Sequence, residues 1–513
     1  MSNLAKSAFW LMVVTMLSKV LGFGREIILG YFYGTSAYSD VYIVAMNIPL
    51  VLFASIGIAL GTTFIPLYQE VLNEKGEKRA LQFSNNIMCI LVILSILLAI
   101  LGYVFAEPLV KMFAMHYTGE KLVLAVKFVR IMIGGVVFIG LSNLMTSYLQ
   151  IQGDFTVPGM IGFPNNIIII ASIIMAALTK KIYILAIGTL VGMASQFLFQ
   201  VPFAIKKGYK FKPRIDLKDE YLKKMLWLVM PVFIGVAVNQ VNAMVDRSLA
   251  SGLGDGVITA LNNANRLNGF VMGLFIATLG SVIYPTLSKL STENNNEKFA
   301  ESVANSVNCV NLLVLPASVG AIVLATPVVR ILFERGAFDD RSTVLTATAL
   351  VFYSVGMVGF GLRDILGKVF YSLKDTKTPM INGMIAVALN IVLNIILVKV
   401  MGHRGLALAT SLSAIICIIL FFRSLKKKIG YYGQDKIRAT FIKTLIASLV
   451  MGVVTYFVYK FLFGMLGLGF IQEAISLGAA VGMGGVVYFA LIIVFKVEEV
   501  DMAIDMIKKK LKK

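Results

Sequence analysis

Ionisable side chains are scarce in this sequence. Asp, Glu, Lys and Arg make up 14% of its 513 residues, whereas 58% of the residues are hydrophobic and the mean hydropathy is +0.85. Because soluble domains contain about 25% charged residues, this composition excludes a soluble enzyme, a coiled coil, a disordered scaffold and a nucleic-acid-binding domain. The sequence therefore predicts an integral membrane protein, and membrane topology must explain its net charge of +20.

Residues that commonly carry out catalysis or hold metals are also few. The three cysteines lie far apart in apolar runs, so they offer neither a disulfide framework nor a metal-ligand pattern. The two histidines, His116 and His403, fall in predicted outer loops. The sequence has no Gly-rich phosphate loop with its lysine, no paired-carboxylate cluster and no Ser/His/Asp set. We therefore expect binding and translocation rather than an enzymatic reaction.

Long apolar runs dominate the rest of the chain. A membrane-spanning helix needs roughly 20 predominantly apolar residues, and cutting the sequence at charges, Gly/Pro and polar clusters yields fourteen such runs. Their predicted limits are 6–32, 38–69, 80–106, 122–151, 156–178, 182–205, 221–250, 258–288, 301–326, 343–371, 377–400, 404–424, 439–464 and 472–495. The first run contains charged residues and lacks a cleavage site, so we expect it to remain as a helix rather than act as a signal peptide.

An even number of spans places both termini on the same side of the membrane. Most of the 47 Lys and Arg residues fall on that side, including the dense clusters at 206–224 and 423–443. By the positive-inside rule, both termini are expected in the cytoplasm. The amphipathic basic tail at 497–513 is expected to lie on the cytoplasmic membrane surface.

Short segments recur at a nearly constant spacing. Gly61–Tyr68 (GTTFIPLY) resembles Gly280–Leu287 (GSVIYPTL), and Ala106–Lys111 (AEPLVK) resembles Ala325–Arg330 (ATPVVR), in both cases 219 positions further on. Six spans separate the equivalent segments, so both copies have the same orientation. We predict an all-α integral membrane protein with fourteen transmembrane helices: two parallel six-helix repeats around a central cavity, plus two C-terminal helices. The predicted domains are an N-terminal lobe at 1–215, a C-terminal lobe at 216–430, transmembrane helices 13 and 14 at 431–496, and the tail at 497–513.

Three cations inside predicted spans are candidates for substrate binding. An ionised side chain in hydrocarbon costs at least about 2.5–3.5 kcal/mol, so it usually faces a bundle interior or a wet cavity. We expect Lys19, Arg25 and Arg266 to bind an anion in the central cavity. The alternatives are a structural salt bridge, such as one from Arg25 to Asp40, and a Lys19 side chain that extends to the membrane surface.

Four further charges are expected to orient or stabilise rather than to touch substrate. Glu26 and Asp40 are expected to be partners of the arginines. Asp246 and Arg247 are neighbours on one predicted helix and cannot share a face, so at least one of them is expected to have a structural partner.

Several of these segments resemble the MurJ (MviN) family. The resemblance rests on Ser18–Glu26 (SKVLGFGRE), Asp40, Phe64–Tyr68 (FIPLY), Ala264–Leu267 (ANRL) and Lys374–Pro379 (KDTKTP), and it covers essentially the whole chain. It implies the multidrug/oligosaccharidyl-lipid/polysaccharide exporter superfamily. It also implies a multi-pass protein of the bacterial cytoplasmic membrane that flips lipid II, the undecaprenyl-diphosphate-linked peptidoglycan precursor, and so acts in cell-wall synthesis and cell shape.

The resemblance also implies roles for individual residues. The family's basic residues of span 1 fall on Lys19, where arginine is usual, and on Arg25, while the acid of span 2 falls on Asp40 and the arginine of span 8 on Arg266. This chain departs from the family after Pro49, where no arginine follows.

Some members of the family resemble sodium-coupled transporters. The matching positions here are Asp246, Asn390, Asn394 and Thr410, with an amide at position 394 where an acid can stand. We expect no organic cofactor, with either this sodium site or the membrane potential driving the cycle.

Three functions remain open from the sequence. The first is lipid II translocation from the inner to the outer leaflet by alternating access, with lipid II and membrane lipids as ligands. The second is transport of another polyprenyl-linked glycan, or ion-driven drug export. The third is a non-transporting scaffold for wall-synthesis enzymes. We expect a monomer that contacts wall-synthesis enzymes and binds no nucleic acid.

Overall fold

The structure is a computed structural model that describes residues 3–293, 295–467 and 469–500. Within these ranges the regular secondary structure is helical and contains no strand. The helices fall into two compact units, which are Met1–Thr259 with Arg335–Phe338 and Ala260–Glu334 with Asp339–Lys513. The predicted all-α fold is thereby confirmed.

Ten of the helices in the described ranges belong to the first unit. They are α1 (Asn3–Tyr33), α2 (Ala37–Lys75), α3 (Glu77–Val104), α4 (Ala106–Phe113), α5 (Gly119–Met132), α6 (Gly135–Ile151), α7 (Thr156–Met160), α8 (Gly162–Thr179), α9 (Tyr183–Lys206) and α10 (Glu220–Ala250).

Nine further helices of the described residues belong wholly or mainly to the second unit. They are α11 (Val257–Thr292), whose first three residues belong to the first unit, α12 (Asn296–Val323), α13 (Ala325–Phe333), α14 (Asp340–Val355), α15 (Met357–Ser372), α16 (Lys377–Met401), α17 (His403–Ile429), α18 (Gln434–Leu466) and α19 (Phe470–Val494).

Many of these helices are long and apolar enough to cross a membrane. Among the described residues, eight pass by length and hydropathy, and ten pass if each of two bent pairs counts as one span. The bends are 41° between α5 and α6 and 46° between α14 and α15. A multi-pass membrane protein is therefore confirmed.

Helix boundaries recur along the chain. The starts of α3 and α12 lie 219 positions apart, and so do their ends and the starts of α4 and α13. Pro66 lies inside α2 and Pro285 lies inside α11, again 219 positions apart. The bent pairs also correspond, since α5 with α6 follows α4, and α14 with α15 follows α13.

The loops before α7 and α16 also match. The Asp154 carboxylate accepts hydrogen bonds from the backbone N–H groups of Thr156 and Val157, both at 3.1 Å. The Asp375 carboxylate accepts one from the backbone N–H of Thr378 at 2.9 Å and another from Lys428 Nζ. Burial alone raises the pKa of Asp375, but the hydrogen bonds from Lys428 and Thr378 outweigh it and lower that pKa to about 2.

Aromatic side chains fill the core of the first unit at one end of α2. Phe64 stacks on Phe83 with a centroid distance of 5.8 Å, and Tyr68 meets Tyr148 edge-on at 6.0 Å. Tyr148 in turn contacts Tyr209 at 4.9 Å. All five rings are buried, so Phe64 and Tyr68 of the FIPLY segment contribute to core packing.

The two C-terminal helices are fastened to the rest of the second unit. Near the N-terminus of α19, Glu473 accepts hydrogen bonds from Arg330 Nη1 at 3.1 Å and from the Tyr459 hydroxyl at 3.0 Å. Further along α19, the Tyr488 hydroxyl donates to the Leu312 carbonyl at 2.7 Å. Helices α18 and α19 therefore form one packed body with α12 and α13.

The predicted domain limits remain predictions. The predicted lobe boundary between residues 215 and 216 follows the sequence repeat. The compact units divide the chain later, so that α10 belongs to the first unit. In the predicted tail at 497–513, Val497 is buried against the α18–α19 core. Residues 501–513 lie outside the described part of the chain.

Candidate functional site

Arg25 lies in the second half of α1 and is mostly covered. Its Nη2 is 2.6 Å from Glu26 Oε1, and the exposed fractions of the two side chains are 11% and 2%. A charge-assisted hydrogen bond of this length is a strong contact. Glu26 is thus a direct partner of Arg25, as expected, and Arg25 does not pair with Asp40, whose own partners are described below.

Lys19 is placed differently on the same helix. Its side chain is exposed, and α1 continues as one helix through Gly22 and Gly24. An added Cβ at Gly22 would lie 3.5 Å from the Asn166 amide nitrogen. A Cβ at this distance would make an ordinary van der Waals contact, so Gly22 lies where α1 packs on α8 but is not required for that packing. Arg25 and Glu26 form their pair about two turns before the end of α1.

Asp40 has a complete set of hydrogen-bond donors. Its Oδ1 accepts from the backbone N–H of Thr259 at 2.9 Å and from the Thr259 hydroxyl at 2.8 Å, and its Oδ2 accepts from the backbone N–H of Gly256 at 2.8 Å. The side chain is fully buried. These donors are the residue directly before α11 and the first turn of α11, where orphan N–H groups and the helix dipole favour a carboxylate. Asp40 therefore caps a helix far along the chain.

Lys121 completes this network. Its Nζ lies 3.5 Å from Asp40 Oδ2 and 2.6 Å from Asp255 Oδ1, and it sits 4.4 Å from the centroid of the Tyr117 ring. The expectation that Asp40 partners an arginine is therefore wrong, because a lysine from α5 and backbone N–H groups occupy its oxygens. The sequence showed no signal for Lys121, since the contact depends on tertiary packing.

Arg247 has the structural partner that was predicted for one member of the Asp246–Arg247 pair. Its Nη2 donates to Asn47 Oδ1 at 3.0 Å, and its Nη1 approaches the Ala243 carbonyl at 3.4 Å. Asn47 is held by its own bond to the Ile43 carbonyl at 2.7 Å. This chain of bonds ties α10 to α2, and Asp246 is half-buried on the same helix.

Arg266 is the candidate cation of the second unit. Its side chain is exposed on α11, beside the exposed Asn265. The flanking amides face inward, since Asn263 and Asn268 are buried and Asn268 Nδ2 donates to the Tyr353 carbonyl at 3.1 Å. The buried Asn268 amide thus fixes α11 against α14, whereas Arg266 lies on an exposed part of α11.

Three residues of the expected sodium site lie together in the second unit. Asn394 Nδ2 donates to Asn390 Oδ1 at 3.1 Å, Asn390 Nδ2 approaches the Thr410 hydroxyl at 3.5 Å, and Thr410 donates to the Leu406 carbonyl at 3.0 Å. They offer amide and hydroxyl oxygens, which suit a hard cation. Asp246 belongs to the first unit. The described residues contain no cluster of three or more His, Cys, Asp or Glu that could hold a metal.

Long apolar helices that also hold arginine, lysine and amide side chains define the class of this protein. Ionised groups within membrane helices mark substrate or ion pathways, so the fold and the placement of its charges are those of a multi-pass membrane transporter.

The family follows from comparison with known sequences. The family model described as "Lipid II flippase MurJ" matches residues 29–497, and the chain belongs to that family. It is similar to the probable lipid II flippase MurJ of Vibrio cholerae, with 31% identity and 98% of each chain covered. It is also similar to the lipid II flippase MurJ of Burkholderia cenocepacia, with 29% identity over 88% of this chain and 89% of the relative.

Solved structures agree with this placement. A lipid II flippase MurJ in an inward closed conformation matches with a TM-score of 0.82 and 27% identity, covering 96% of this chain and 99% of that one. An inward-facing multidrug resistance MATE family transporter matches with a TM-score of 0.69 at 14% identity, covering 83% of this chain and 99% of that one. The second likeness concerns the fold alone.

Proposed function

We propose that this chain is a flippase that moves lipid II from the inner to the outer leaflet of the bacterial cytoplasmic membrane by alternating access. The observation that carries the proposal is the match to the lipid II flippase family over residues 29–497. That range includes the candidate charges Asp40, Asp246, Arg247 and Arg266. Lys19, Arg25 and Glu26 lie before it, on α1. The activity is transport, with no covalent chemistry required of the protein.

The diphosphate of the substrate is bound by cationic side chains. Lys19 and Arg266 are exposed, so both are accessible to an anionic group. Arg25 forms an ion pair with Glu26. Because a guanidinium has five N–H donors, Arg25 can also make a bidentate contact with phosphate while it keeps that pair. The sugar-peptide headgroup travels with the diphosphate, and the polyprenyl tail stays in lipid.

The topology proposed for this cycle has fourteen spans. The helices α1, α2, α10 and α11 each contain at least 31 residues, which is enough to cross a hydrocarbon core of about 30 Å at 1.5 Å per residue. Together with the ten spans counted by composition they make fourteen, with both termini in the cytoplasm. The recurring helix boundaries support two six-helix repeats, followed by α18 and α19.

Energy for the cycle comes from an ion or from the membrane potential. Moving one charge through 100 mV is worth about 2.3 kcal/mol, so a cationic site responds to the potential directly. The amide and hydroxyl oxygens of Asn390, Asn394 and Thr410 support a sodium site within the second unit. The working form is proposed to be a monomer that contacts wall-synthesis enzymes.

Depletion in a cell that has no second flippase tests the proposal. Loss of the protein is expected to leave lipid II in the inner leaflet and to stop wall growth, and the wild-type chain should restore both. Arg25→Ala and Arg266→Ala should fail to restore growth, whereas Arg423→Ala, which removes an exposed cation elsewhere, should succeed. Outer-leaflet lipid II that persists during depletion would contradict the proposal, and full rescue by both alanine variants would favour the scaffold.

The other transport functions are less favoured. The multidrug resistance transporters share the fold at 14–15% identity, which does not extend to their ligands. Competition for binding between lipid II and other polyprenyl-linked sugars separates a lipid II flippase from a flippase for a different glycan, because only the preferred headgroup displaces lipid II at equal concentration.

A further inference from the structure

A second binding site is indicated by a cavity within the second unit. The cavity has a volume of about 330 Å³ and lies among α12, α15, α17 and the start of α18. This volume is at the lower end of the roughly 300–1,000 Å³ typical of ligand pockets. Its wall is largely apolar and includes Val307, Val358, Leu362, Ile418 and Phe422. A hydrocarbon chain fits such a wall.

One polar side chain in this wall is buried without a partner. Asn311 is 1% exposed, and its Oδ1 makes no hydrogen bond within the part of the chain that the structure describes. A buried polar atom left without a bond costs about 1–3 kcal/mol. Because Asn311 lines the cavity, a ligand that donates a hydrogen bond there would remove this cost.

The cavity also has a cation at its edge. Arg438 lines it and is exposed, and no salt bridge joins it to an acid among the described side chains. It belongs to the basic cluster at 423–443, on the side of the membrane that its lysines and arginines predict to be cytoplasmic. Basic pockets between membrane helices on that side bind anionic lipid headgroups.

Asn311 and Arg438 lie at nearly the same height. Gly433 packs against Ala304, and Gly452 packs against Val319, so α18 and α12 run in the same direction. Arg438 lies five residues after Gly433 on one helix, and Asn311 lies seven residues after Ala304 on the other. At 1.5 Å per residue, their heights differ by about 3 Å. Both side chains also line the same cavity, so one headgroup bound there is expected to lie near both.

We propose that this cavity binds a glycerophospholipid with an anionic, hydroxylated headgroup, such as phosphatidylglycerol, taken from the cytoplasmic leaflet. The phosphate contacts the Arg438 guanidinium, and a headgroup hydroxyl donates to Asn311 Oδ1. One acyl chain lies along the apolar wall. The lipid fills a space between helices that no described side chain fills, and it does so independently of lipid II transport.

Native mass spectrometry of the delipidated full chain tests this site. Titration with phosphatidylglycerol is expected to show one preferred copy per protein, with weaker binding of phosphatidylcholine. Arg438→Gln should weaken phosphatidylglycerol binding about fivefold and leave phosphatidylcholine unchanged, whereas Arg438→Lys should retain most of the preference. The matched control Arg423→Gln removes an exposed cation outside the cavity and should have no effect.

Two variants of the cavity wall complete the test. Asn311→Leu should weaken phosphatidylglycerol binding, although it makes the cavity more apolar, and Val358→Phe should block binding by filling the space. Thermal unfolding of each variant verifies that it folds. The proposal is overturned if Asn311→Leu binds both lipids more tightly, if Arg438→Gln and Arg423→Gln behave alike, or if a polyprenyl phosphate displaces phosphatidylglycerol from the cavity.

Discussion

Asp40 and Arg25 hold charge in the first unit in different ways. Asp40 is fully buried and receives three hydrogen bonds from the start of α11 and a fourth contact from Lys121. Arg25 is held by the neighbouring Glu26, and a guanidinium has more donors than one carboxylate oxygen can use. The comparison teaches that burial does not by itself mark a ligand site. A charged group whose hydrogen bonds are all formed within the protein, such as Asp40, stabilises the fold. A charged group with unused N–H donors, such as Arg25, can bind a ligand.

Removing the Asp40 carboxylate is expected to have the largest effect on stability. Asp40→Ala leaves the backbone N–H groups of Gly256 and Thr259 without their acceptor and removes one of the two acids beside Lys121, which should cost about 3 kcal/mol or more. Thermal unfolding in detergent should show a clearly lowered midpoint. A variant that unfolds like the wild type but fails to bind lipid II would place Asp40 with the binding residues and break the comparison.

Lys121→Met sharpens the same comparison with a smaller change. The backbone and hydroxyl donors of Gly256 and Thr259 remain, and the lysine contact with Asp40 is the longest of the four at 3.5 Å. We expect a loss of about 1 kcal/mol, typical of a partly exposed ion pair. A loss as large as that of Asp40→Ala, measured by the same unfolding assay, would mean that the lysine and not the helix start stabilises the carboxylate.

Glu26→Gln addresses the other side of the comparison. The glutamine keeps a hydrogen-bonding oxygen near Arg25 but removes the competing charge, so lipid II should bind a few-fold more tightly. The unfolding temperature should fall, because the largely buried Arg25 loses its counter-charge. Binding of lipid II to the purified variants measures this, with Glu70→Gln as a control for an acid outside α1. Weaker binding would show that Glu26 positions Arg25 rather than competes for it.

The smallest expected effect concerns a carboxylate near the membrane surface. The pKa of Asp375 is lowered from 3.8 to about 2, so its contact with Lys428 stabilises the fold above about pH 4 and is lost as the pH falls toward 2. Lys428 is more than a third exposed, so the effect should stay below about 1 kcal/mol. The stability difference between the wild type and Lys428→Gln should shrink between pH 5 and pH 2, and a constant difference would contradict this assignment.

The sequence predicted most of the helix order but not the contacts of its charges. Apolar run length and repeated segments indicated the spans, because these depend on local composition. The short amphipathic helices α4 and α13 were missed, since each is too short for a span and falls at the edge of a predicted one. The partners of Asp40 could not be predicted either, because Gly256 and Thr259 lie more than 200 positions away and meet it only through tertiary packing.

Translocation of purified lipid II by the protein in liposomes tests the central claim most directly. The account predicts that the wild-type chain moves lipid II across the bilayer, that Arg423→Ala does so equally well, and that Arg266→Ala moves less than about a tenth as much while unfolding at the same temperature. Transport by Arg266→Ala at the wild-type rate would contradict the account.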